Sequence, residues 1–518
     1  MADSAKQFNL ADYFLDDRIR EGHQDRLAVV VHEGDSYTYG QIQAGANRCA
    51  RVLQNVGLEP EQRVLMVLPD SVEFVYTWFG VLKAGGVFAM VNPRLPSEDY
   101  SYYLSYTRAR VLVTTREVAD RIGPAIEESP WLKSVLVVDG EGSPHLDFHT
   151  TLSAEEPTFT NVATHRDDSA GWLFTSGSTG HPKAAVHRHH DFAWNTERYA
   201  KQVLGILPED RTLSVAKLYF GYATGTNLMF PFAVGAATVL FSGAPKPPLL
   251  FDLIEQYAPT VITNVPTMIG KMLAQPDASE RDLSSLRLCL SAGEALPAEL
   301  YERWIERTGV EILDGIGSAE MFHIYISNYP GDVKLGSLGK LVPGYEARIV
   351  DEQGVDVPPG EIGTLWIKGE SAAQGYWLDQ EKSRATFAGD WCFTSDQFRQ
   401  DENGYFIYCG RADDLLKVGG IFVSPIEVEN CLLGHPDVEE CCVLGFEEEG
   451  LMKAMACVVL RDGAAASDAT AESLRAHTKA ELAPYKTPRE FKFLAEMPKN
   501  DRGKMDRKSL KAQWGGAR

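Results

Sequence analysis

The N-terminal part of the chain alternates short apolar runs with segments that place apolar residues at helical spacing. Residues 63–70 (RVLMVLPD) and 86–93 (GVFAMVNP) are strand-like, and residues 71–85 between them are amphipathic. The same alternation recurs further along, with strand-like runs at 110–115, 134–140, 212–218, 237–241, 259–266, 286–293 and 311–318 and helices near 250–257 and 298–308. This rhythm is typical of β-α-β units, so the sequence predicts an α/β region built as two similar halves.

Short strands separated by Gly, Asp and Asn turns follow from about residue 345. This change in pattern predicts a small β-rich subdomain. Beyond Arg411 the pattern changes again, with strand-like runs at 438–446, 455–463 and 489–494 and a helix near 470–482. These elements predict a compact α+β lobe at the end of the sequence.

Ser424, Pro425 and Glu427 mark the start of a further helix in this lobe, running to about Leu433. Serine is a favoured N-cap, proline fits the first helical position, and a glutamate three residues after the cap closes a capping box. The charged link before this helix, GRADDLLK, predicts a boundary near residues 412–414. We therefore predict an α/β and α+β multidomain fold with domains at 1–412 and 413–518.

No Asp, Glu, Lys or Arg occurs between Leu218 and Pro245, a stretch long enough to cross a bilayer. Its interior contains several glycines, a proline, an asparagine and threonines, which are typical of a loop, a helix and a strand in a large domain. We therefore predict that this stretch forms a wall of an apolar pocket and not a membrane span.

The 518 residues are 44% hydrophobic and 24% charged, which excludes collagen-like, coiled-coil and wholly disordered chains. The formal net charge of −22 opposes binding to DNA or RNA. The eight cysteines form no C-x-x-C pair and mostly lie in apolar stretches, and the N-terminus lacks the pattern of a signal peptide. These features predict a cytoplasmic protein with no nucleic-acid partner.

The densest chemical signal is the segment 175–183, TSGSTGHPK, which follows a strand-like run. Its glycines let backbone N–H groups approach phosphate oxygens, its hydroxyls donate hydrogen bonds, and Lys183 adds a positive charge. A polar surface turn has a similar composition. The chain has no Walker A sequence, G-x-G-x-x-G fingerprint or G-x-S-x-G elbow, which disfavours kinase-like, dehydrogenase and hydrolase functions.

The segment TSGSTGHPK strongly resembles the signature of the acyl-adenylate-forming superfamily: acyl- and aryl-CoA synthetases, peptide-synthetase adenylation domains and firefly-type luciferases. Other motifs match in the family's order along nearly the whole chain: LKAGGVFAMVNP (82–93), LYFGYATG (218–225), LSAGEALP (290–297), DGIGSAEM (314–321), TSDQF (394–398), GRADDLLKVGG (410–420) and PKNDRGKMDR (498–507). The resemblance implies the fold of these enzymes, a large N-terminal domain followed by a small mobile C-terminal domain.

The resemblance also implies two half-reactions. A carboxylate attacks the α-phosphate of ATP to give an acyl-AMP and pyrophosphate, and a thiol then takes the acyl group. The first step joins two anions, which favours preorganised donors, lysine and a metal over a covalent nucleophile. The implied cofactors are ATP and Mg²⁺, with coenzyme A as cosubstrate. In this scheme the β- and γ-phosphates are bound by Thr175, Ser176, Gly177, Ser178, Thr179, Gly180 and Lys183.

Glu320 resembles the carboxylate that anchors Mg²⁺ in the family, since a hard oxygen ligand can share the ion with phosphate oxygens. Outside its motif it would be an ordinary solvated glutamate. Ser318 would offer a hydroxyl near the α-phosphate, but Ala319 stands where the family usually has threonine, which removes one hydrogen bond. The residues expected around adenine are Ser291, Ala292, Gly293, Glu294, Ala295, Asp314, Gly315, Ile316 and Gly317.

Asp396 resembles the carboxylate that accepts from both ribose hydroxyls, with Arg411 nearby; a structural aspartate in a turn is the alternative. Lys504 resembles the lysine that bridges carboxylate and phosphate during adenylation, although basic termini are usually only solvated. Asp413 stands where the family places its hinge. After adenylation, the implied rotation of the small domain would move Lys504 out of the active site. It would bring in a strip that lines the path of the thiol, formed by Lys417, Val418, Gly419 and Gly420.

Three histidines and an arginine follow the phosphate segment, at His187, Arg188, His189 and His190. They lack H-E-x-x-H spacing and have no neighbouring cysteine, which disfavours a zinc site. We expect a structural role or polarity next to the substrate.

The acid is predicted from the pocket wall. An α-amino acid needs a buried carboxylate partner, and 218–245 has none. The resemblance is nearest to benzoate-CoA ligases and relatives that take 2-aminobenzoate (anthranilate), and aromatic walls suit such rings. His323 or a nearby hydroxyl is expected to contact the ring substituent. The pocket residues implied are Tyr219, Phe220, Gly221, Tyr222, Ala223, Gly293, Ile316, His323 and Ile324.

Three alternatives remain open at this point. The first is a ligase for medium-chain fatty acids, the second an adenylation enzyme that loads a separate carrier protein, and the third a nucleotide-binding regulator that keeps the fold. The predicted partners are an aryl carboxylic acid, ATP and coenzyme A. The sequence does not distinguish a monomer from a homodimer.

Overall fold

The computed structural model describes residues 6–175, 181–418, 421–448, 451–499 and 505–515. In this part of the chain two sheets rich in parallel strands form the large N-terminal region, as the alternating pattern predicts. A smaller antiparallel sheet and a C-terminal lobe follow them. The fold class is the one expected from the sequence.

The first sheet has seven strands in the described residues. In spatial order they are Leu146–Asp147, Ser134–Val138, Val111–Thr115, Arg63–Val67, Val87–Met90, Ser169–Thr175 and Lys183–Arg188. All neighbours are parallel except the last pair, which is an antiparallel hairpin. Its helices are Tyr39–Asn55, Val72–Lys83, Ser97–Thr107, Arg116–Arg121, Gly123–Glu128 and Phe148–Ser153.

The second sheet has nine strands in the same described ranges. In spatial order they are Lys340–Leu341, Ile324–Ser327, Ile312–Gly317, Leu288–Ala292, Val261–Asn264, Arg211–Ser214, Ala237–Leu240, Leu27–Val31 and Ser36–Thr38. The strands from Ile312–Gly317 to Leu27–Val31 are parallel, and both edges are antiparallel. Helices Pro247–Tyr257, Pro266–Leu273 and Ala298–Thr308 pack on one face.

Local signals explain where several helices begin. Thr38 and Gln41 form a capping box: the Thr38 hydroxyl accepts from the Gln41 N–H at 3.3 Å, and the Gln41 side chain accepts from the Thr38 N–H at 2.8 Å. Ser71 caps helix Val72–Lys83 in a similar way, accepting from the Phe74 N–H. These contacts satisfy backbone donors that the first helical turn leaves free.

The charge-free stretch folds as predicted, with a loop, a helical segment and a strand. Its parts are Gly221–Thr224, Gly225–Met229, Phe230–Phe232 and Ala237–Leu240. Across the described residues, every helix is too short or too polar to cross a bilayer.

The predicted β-rich subdomain is a five-stranded antiparallel sheet within the described residues. Its strands are Glu346–Val350, Gly363–Lys368, Phe387–Ala388, Trp391–Gln400 and Phe406–Arg411, and helix Gln380–Thr386 precedes the third. The large region also contains helix Asp17–Arg20, which continues the helical segment Asp12–Asp16. Helix His189–Asn195 belongs to the same region and continues through Thr196–Val203.

The C-terminal lobe combines the strand pair Leu416–Val418 and Ile421–Val423 with the sheet Val438–Glu448, Leu451–Leu460 and Glu490–Leu494. Its helices are Pro425–Leu433, Asp468–Glu481 and Arg507–Trp514. Ser424 caps the first helix as predicted. The capping box is incomplete, however, because the Glu427 carboxylate pairs with the Lys486 ammonium at 2.6 Å.

The apolar cores of the two regions are separate. The clusters of the large region end at Tyr408, and those of the lobe begin at Leu416. Among the described residues, one surface ion pair joins them, Arg461 with Glu299 at 3.2 Å. It adds little stability because both side chains are about two-fifths exposed.

A buried ion pair fixes the N-terminal segment to the first sheet. The Lys83 ammonium lies 2.6 Å from both Asp16 carboxylate oxygens, and the Asn161 amide donates to the same carboxylate at 2.7 Å. Both charged side chains are nearly inaccessible. Burial lowers the pKa of Lys83, while Asp16 acts in the opposite direction. Removing one member leaves the other charge buried and uncompensated.

Lys83→Met is therefore expected to destabilise the protein by about 3–5 kcal/mol, the usual cost of breaking a buried pair. Urea unfolding followed by tryptophan fluorescence measures this. The matched control is Lys368→Met, because Lys368 forms a largely exposed pair with Glu346 at 3.3 Å. Equal stability of the two variants would contradict a stabilising role for the buried Lys83–Asp16 pair. The double variant Asp16→Asn/Lys83→Met should recover part of the lost stability.

Candidate functional site

The hairpin at the edge of the first sheet carries the predicted phosphate segment. Thr175 ends one strand and pairs directly with Lys183, which begins the next. Ser176, Gly177, Ser178, Thr179 and Gly180 lie outside the described residues. The Lys183 ammonium lies 3.2 Å from an Asp379 carboxylate oxygen and 5.7 Å from the ring centroid of Tyr376. The lysine is thus mostly buried and already oriented.

The Asp379 side chain is an ionised carboxylate. Burial acts to raise its pKa, but the Lys382 N–H and Lys183 together bring the pKa below its usual value. Its charge therefore holds the Lys183 ammonium in place at the start of strand Lys183–Arg188.

Glu320 lies in the short turn Ala319–Met321, directly after strand Ile312–Gly317 of the second sheet. Its Oε1 accepts from the Tyr376 hydroxyl at 2.6 Å. Burial, and then the adjacent Glu320 charge, raise the pKa of Tyr376, so the hydroxyl keeps its proton and donates. Within the described residues no hydrogen bond is recorded to Oε2, which leaves that oxygen available to a ligand.

A segment without regular secondary structure, residues 371–377, joins the two sheets at this point, and we call it the crossing segment. On one side it pairs with the edge strand Lys183–Arg188, through Trp377 N–H to Ala184 O at 2.9 Å and Gln374 N–H to Val186 O at 2.9 Å. On the other side, the Ala373 N–H donates to Glu320 O at 2.8 Å. The crossing segment therefore sets the distance between Lys183 and Glu320.

Ser318 lies beside Glu320, and its buried hydroxyl has no hydrogen-bond partner among the described residues. A buried polar atom left without a partner is costly, so it marks a position where a ligand oxygen can be bound. Gly317 precedes it at a close approach, because a Cβ there would lie 2.5 Å from the His323 carbonyl oxygen.

Asp396 and Arg411 lie opposite each other on neighbouring strands. Burial raises the pKa of Asp396, Arg411 and the Tyr408 hydroxyl lower it, and Glu320 raises it further. Glu320 and Asp396 are thus close enough to interact electrostatically. A cation, or ligand hydroxyls that donate to Asp396, would relieve this repulsion.

A set of aromatic rings surrounds His323. Its Nε2 donates to the Tyr222 carbonyl at 3.0 Å, and its ring packs against Tyr199, Tyr222 and Phe230. Burial lowers the pKa of His323 to about 4, so the ring is neutral. Since Nε2 carries the proton, Nδ1 is an acceptor, and neither it nor the Tyr222 hydroxyl has a partner among the described residues.

The other predicted pocket residues differ in exposure. Ala223 and Ile324 are buried, whereas Tyr219, Gly221 and Ile316 are half-buried. Phe220 is 40% exposed and packs against Tyr219, so it lies at the surface end of this stretch. These positions run from the surface to the enclosed ring of His323.

The predicted adenine strips are also located. Gly293 is exposed with φ +86°, a conformation that favours glycine, and Ala295 beside it is exposed. The Glu294 carboxylate accepts from the N–H and hydroxyl of Thr267 at 2.9 and 2.7 Å, so it caps a neighbouring helix. Asp314 and Gly315 are buried, and burial raises the pKa of Asp314 to about 8.

The remaining predicted residues belong to the hinge, the thiol strip and the C-terminal lysine motif. Gly419, Gly420 and Lys504 lie outside the described residues. Asp413 is in the turn Ala412–Asp414 and Lys417 is in strand Leu416–Val418, but their side chains are not described. Their roles stay predictions.

Comparison with known proteins identifies the family. Residues 16–377 match the family described as AMP-binding enzyme, and residues 427–504 match the AMP-binding enzyme C-terminal domain. The chain belongs to the AMP-binding enzyme family. The first match covers well over half of the chain, and the second falls within the C-terminal lobe.

Members of this family that resemble the chain include a benzoate–CoA ligase of Thauera aromatica, 41% identical over 98% of this chain and 96% of the relative. An anthranilate–CoA ligase of Pseudomonas aeruginosa is 31% identical, covering 91% and 89%. Among solved structures, an anthranilate CoA ligase in complex with anthranoyl-AMP has a TM-score of 0.93 and 39% identity, covering 98% and 97%. A benzoate CoA ligase from Burkholderia xenovorans LB400 has a TM-score of 0.88 and 40% identity, covering 97% and 99%.

Tyr376 and Asp379 were missed by sequence reasoning, although they orient Glu320 and Lys183 in this family member. Both lie in GYWLDQ (375–380), which has neither helical nor strand periodicity. An aromatic residue and an acid in a non-periodic segment are the only local signal. They indicate neither Glu320, 56 residues before Tyr376, nor Lys183, the partner of Asp379.

The titration of His323 provides a test of the pocket. With a folded pKa of about 4 against about 6.5 when unfolded, His323 remains neutral at pH 6. Its contribution to stability is complete above about pH 6.5 and is lost as pH falls towards 4. Side-chain ¹⁵N spectra of ¹⁵N-histidine protein measure this, with His323→Asn for assignment and the urea-denatured protein as reference. Protonation of His323 with a midpoint near 6.5 would contradict the burial described.

Proposed function

We propose that the protein is an ATP-dependent aryl-CoA ligase. It activates a benzoate-type acid, benzoate or 2-aminobenzoate, through an aryl-AMP and transfers the aryl group to coenzyme A with release of AMP and pyrophosphate. The observation that carries the proposal is the link from Lys183 through Tyr376 to Glu320, close to an enclosed aromatic pocket. In this proposal the phosphate-binding Lys183 and the metal-binding Glu320 are linked next to the pocket that would bind the aromatic ring of the acid.

The nucleotide end has the charges that this chemistry requires. Lys183 would contact the β- and γ-phosphates, and Ser318 would donate to the α-phosphate. Asp396 would accept from the ribose hydroxyls. Donors already oriented before the reaction stabilise charge on phosphate oxygens without further reorganisation.

The donor set fits Mg²⁺ as carried by ATP. Across the described residues, no cluster of three or more His, Cys, Asp or Glu could hold a metal ion. Glu320 offers one carboxylate oxygen while the other accepts from Tyr376. A single protein carboxylate supplemented by phosphate oxygens and water is a usual arrangement for Mg²⁺. The ion would supply charge screening between the two anions.

The acid end favours an aromatic ring with a hydrogen-bond donor. The neutral His323 presents Nδ1 as an acceptor, and the Tyr222 hydroxyl is a second unpartnered polar group. A 2-amino or hydroxyl substituent would satisfy such an acceptor, whereas a fatty acid would not. The names of the benzoate and anthranilate ligases that resemble this chain agree with this choice.

The thiol step is assigned to the small lobe. We propose domains at 1–412 and 413–518, because the cores divide between Tyr408 and Leu416 and the surface ion pair Arg461–Glu299 between them is weak. Asp413 would act as the hinge, Lys504 would serve adenylation, and the strip from Lys417 to Gly420 would line the path of coenzyme A.

We further propose a cytoplasmic location. All eight cysteines are free, and burial raises the pKa of each thiol whose shift is resolved, such as Cys49 to about 12. Such thiols are unreactive and suit a reducing compartment.

Pyrophosphate release with ATP and Mg²⁺ tests the function over a panel of benzoate, 2-aminobenzoate, hydroxybenzoates, cinnamate, octanoate and phenylalanine, each with and without coenzyme A. We expect release with benzoates only, accelerated by coenzyme A. His323→Ala should change the ranking of benzoate against 2-aminobenzoate. His190→Ala, at a half-buried histidine that pairs with Glu370, should leave it unchanged.

Other results of the panel would support other functions. Preference for octanoate indicates a fatty-acid ligase and contradicts the pocket assignment. Release unaffected by coenzyme A, with transfer to a carrier protein, indicates a loading enzyme. No release with any acid in the panel would refute the aryl-ligase proposal and favour the regulator.

Lys504→Ala separates the two half-reactions. We expect a loss of adenylation of at least about 100-fold, with thioester formation from supplied aryl-AMP and coenzyme A nearly unchanged, because the charge stabilises only the first transition state. The matched control is Lys508→Ala, an exposed lysine on helix Arg507–Trp514. Equal loss in both half-reactions would exclude the two-orientation scheme.

A further inference from the structure

His187 is fully buried at the end of the edge strand, and both of its ring nitrogens have partners. Its Nε2 lies 2.7 Å from the Ala319 carbonyl oxygen, and its Nδ1 lies 3.2 Å from an Asp191 carboxylate oxygen. Ala319 immediately precedes Glu320. The histidine therefore contacts the turn that carries the proposed metal-binding carboxylate, across 132 residues of sequence.

The chemistry of the contacts fixes the direction of the ring. Carbonyl and carboxylate oxygens only accept, so Nε2 must donate to Ala319 and Nδ1 must donate to Asp191. Asp191 is itself held by the Arg188 side chain at 2.9 Å and by the Arg188 N–H at 3.0 Å, and it is completely buried. A buried carboxylate against one ring nitrogen orients the other nitrogen, as carboxylate partners of histidine commonly do.

The turn that His187 contacts needs support from outside. It consists of only three residues, Ala319–Met321, and it is followed by Phe322 at φ +68°, a conformation that L-residues rarely adopt. Such a backbone persists only when its surroundings hold it in place. His187 and the crossing segment, through Ala373, hold it from two sides.

We propose that His187, oriented by Asp191, is a positioning residue that fixes the Ala319–Glu320 backbone and so directs the Glu320 carboxylate towards the metal of bound ATP. This inference rests on the proposed function, in which Glu320 holds Mg²⁺. His187 does not touch the nucleotide in this arrangement. It determines where Glu320 presents its free oxygen.

Two substitutions of His187 test this directly. In His187→Gln the amide nitrogen occupies about the place of Nε2 and still donates to Ala319, whereas in His187→Asn it occupies about the place of Nδ1 and does not. We expect His187→Asn to raise the Mg²⁺ concentration for half-maximal pyrophosphate release by about tenfold, the lower end of typical effects of outer-shell partners. His187→Gln should remain within about twofold of the unchanged protein.

The control is the neighbouring buried histidine. His189 is equally inaccessible, but its Nδ1 accepts from the Leu10 N–H at 3.1 Å and its Nε2 has no partner among the described residues, so it makes no hydrogen bond to the turn that carries Glu320. His189→Asn should lower the melting temperature without changing the Mg²⁺ requirement. Thioester formation from supplied aryl-AMP should be unaffected in every variant, because that half-reaction does not use the metal-bound triphosphate.

Glu320→Gln, assayed in parallel, separates failure of the inference from failure of the proposed function. If Glu320→Gln leaves the Mg²⁺ requirement unchanged, the assignment of Glu320 is wrong and the inference fails with it. If Glu320→Gln raises the requirement but His187→Asn does not, only the inference is overturned.

The inference about His187 is also overturned if His187→Asn slows both half-reactions equally, since that result indicates a general structural defect. Should His187→Asn not fold, Asp191→Asn releases the ring without removing it, and an unchanged Mg²⁺ requirement in that variant would overturn the proposal. A double variant, His187→Asn with Glu320→Gln, should be no worse than Glu320→Gln alone.

Discussion

The site depends on the hydrogen bonds of the crossing segment, residues 371–377. Its backbone pairs with the edge strand that begins at Lys183, and its Ala373 N–H holds the carbonyl of Glu320. The two sheets share one large apolar cluster, and the crossing segment adds direct backbone contacts to both of them at the site. Backbone hydrogen bonds vary little in length, so the separation of the two groups is defined more narrowly than flexible side chains alone would allow.

Electrostatics constrains the same region. The chain has a formal charge of −22, and ATP is itself a polyanion, so the net field opposes nucleotide binding. The site counters this locally: Lys183 is held mostly buried by Asp379, and Asp396 faces Arg411. Short-range charges outweigh the distant surface ones because salt screens the latter. A strongly acidic protein can therefore bind an anionic substrate.

The parts of the fold that depend on neighbouring residues were predictable from sequence, such as helix Val72–Lys83 in the amphipathic stretch 71–85. Side chains whose partners are distant in sequence were not. Glu427 has ideal capping-box spacing, yet it pairs with Lys486, 59 residues away. Likewise the motif around Glu320 was recognisable, whereas Tyr376 and His187, which orient it, meet it only through tertiary packing. Local pattern carries no information about such partners.

Gly225 and His323 constrain how the proposed acid pocket of this protein can change. A Cβ at position 225 would lie 2.4 Å from the His323 ring, so even alanine is excluded while the histidine is present. A smaller residue at 323 would have to come first. Natural divergence and laboratory selection alike must therefore pass through that intermediate, and a screen of single replacements at 225 would wrongly report the position as immutable.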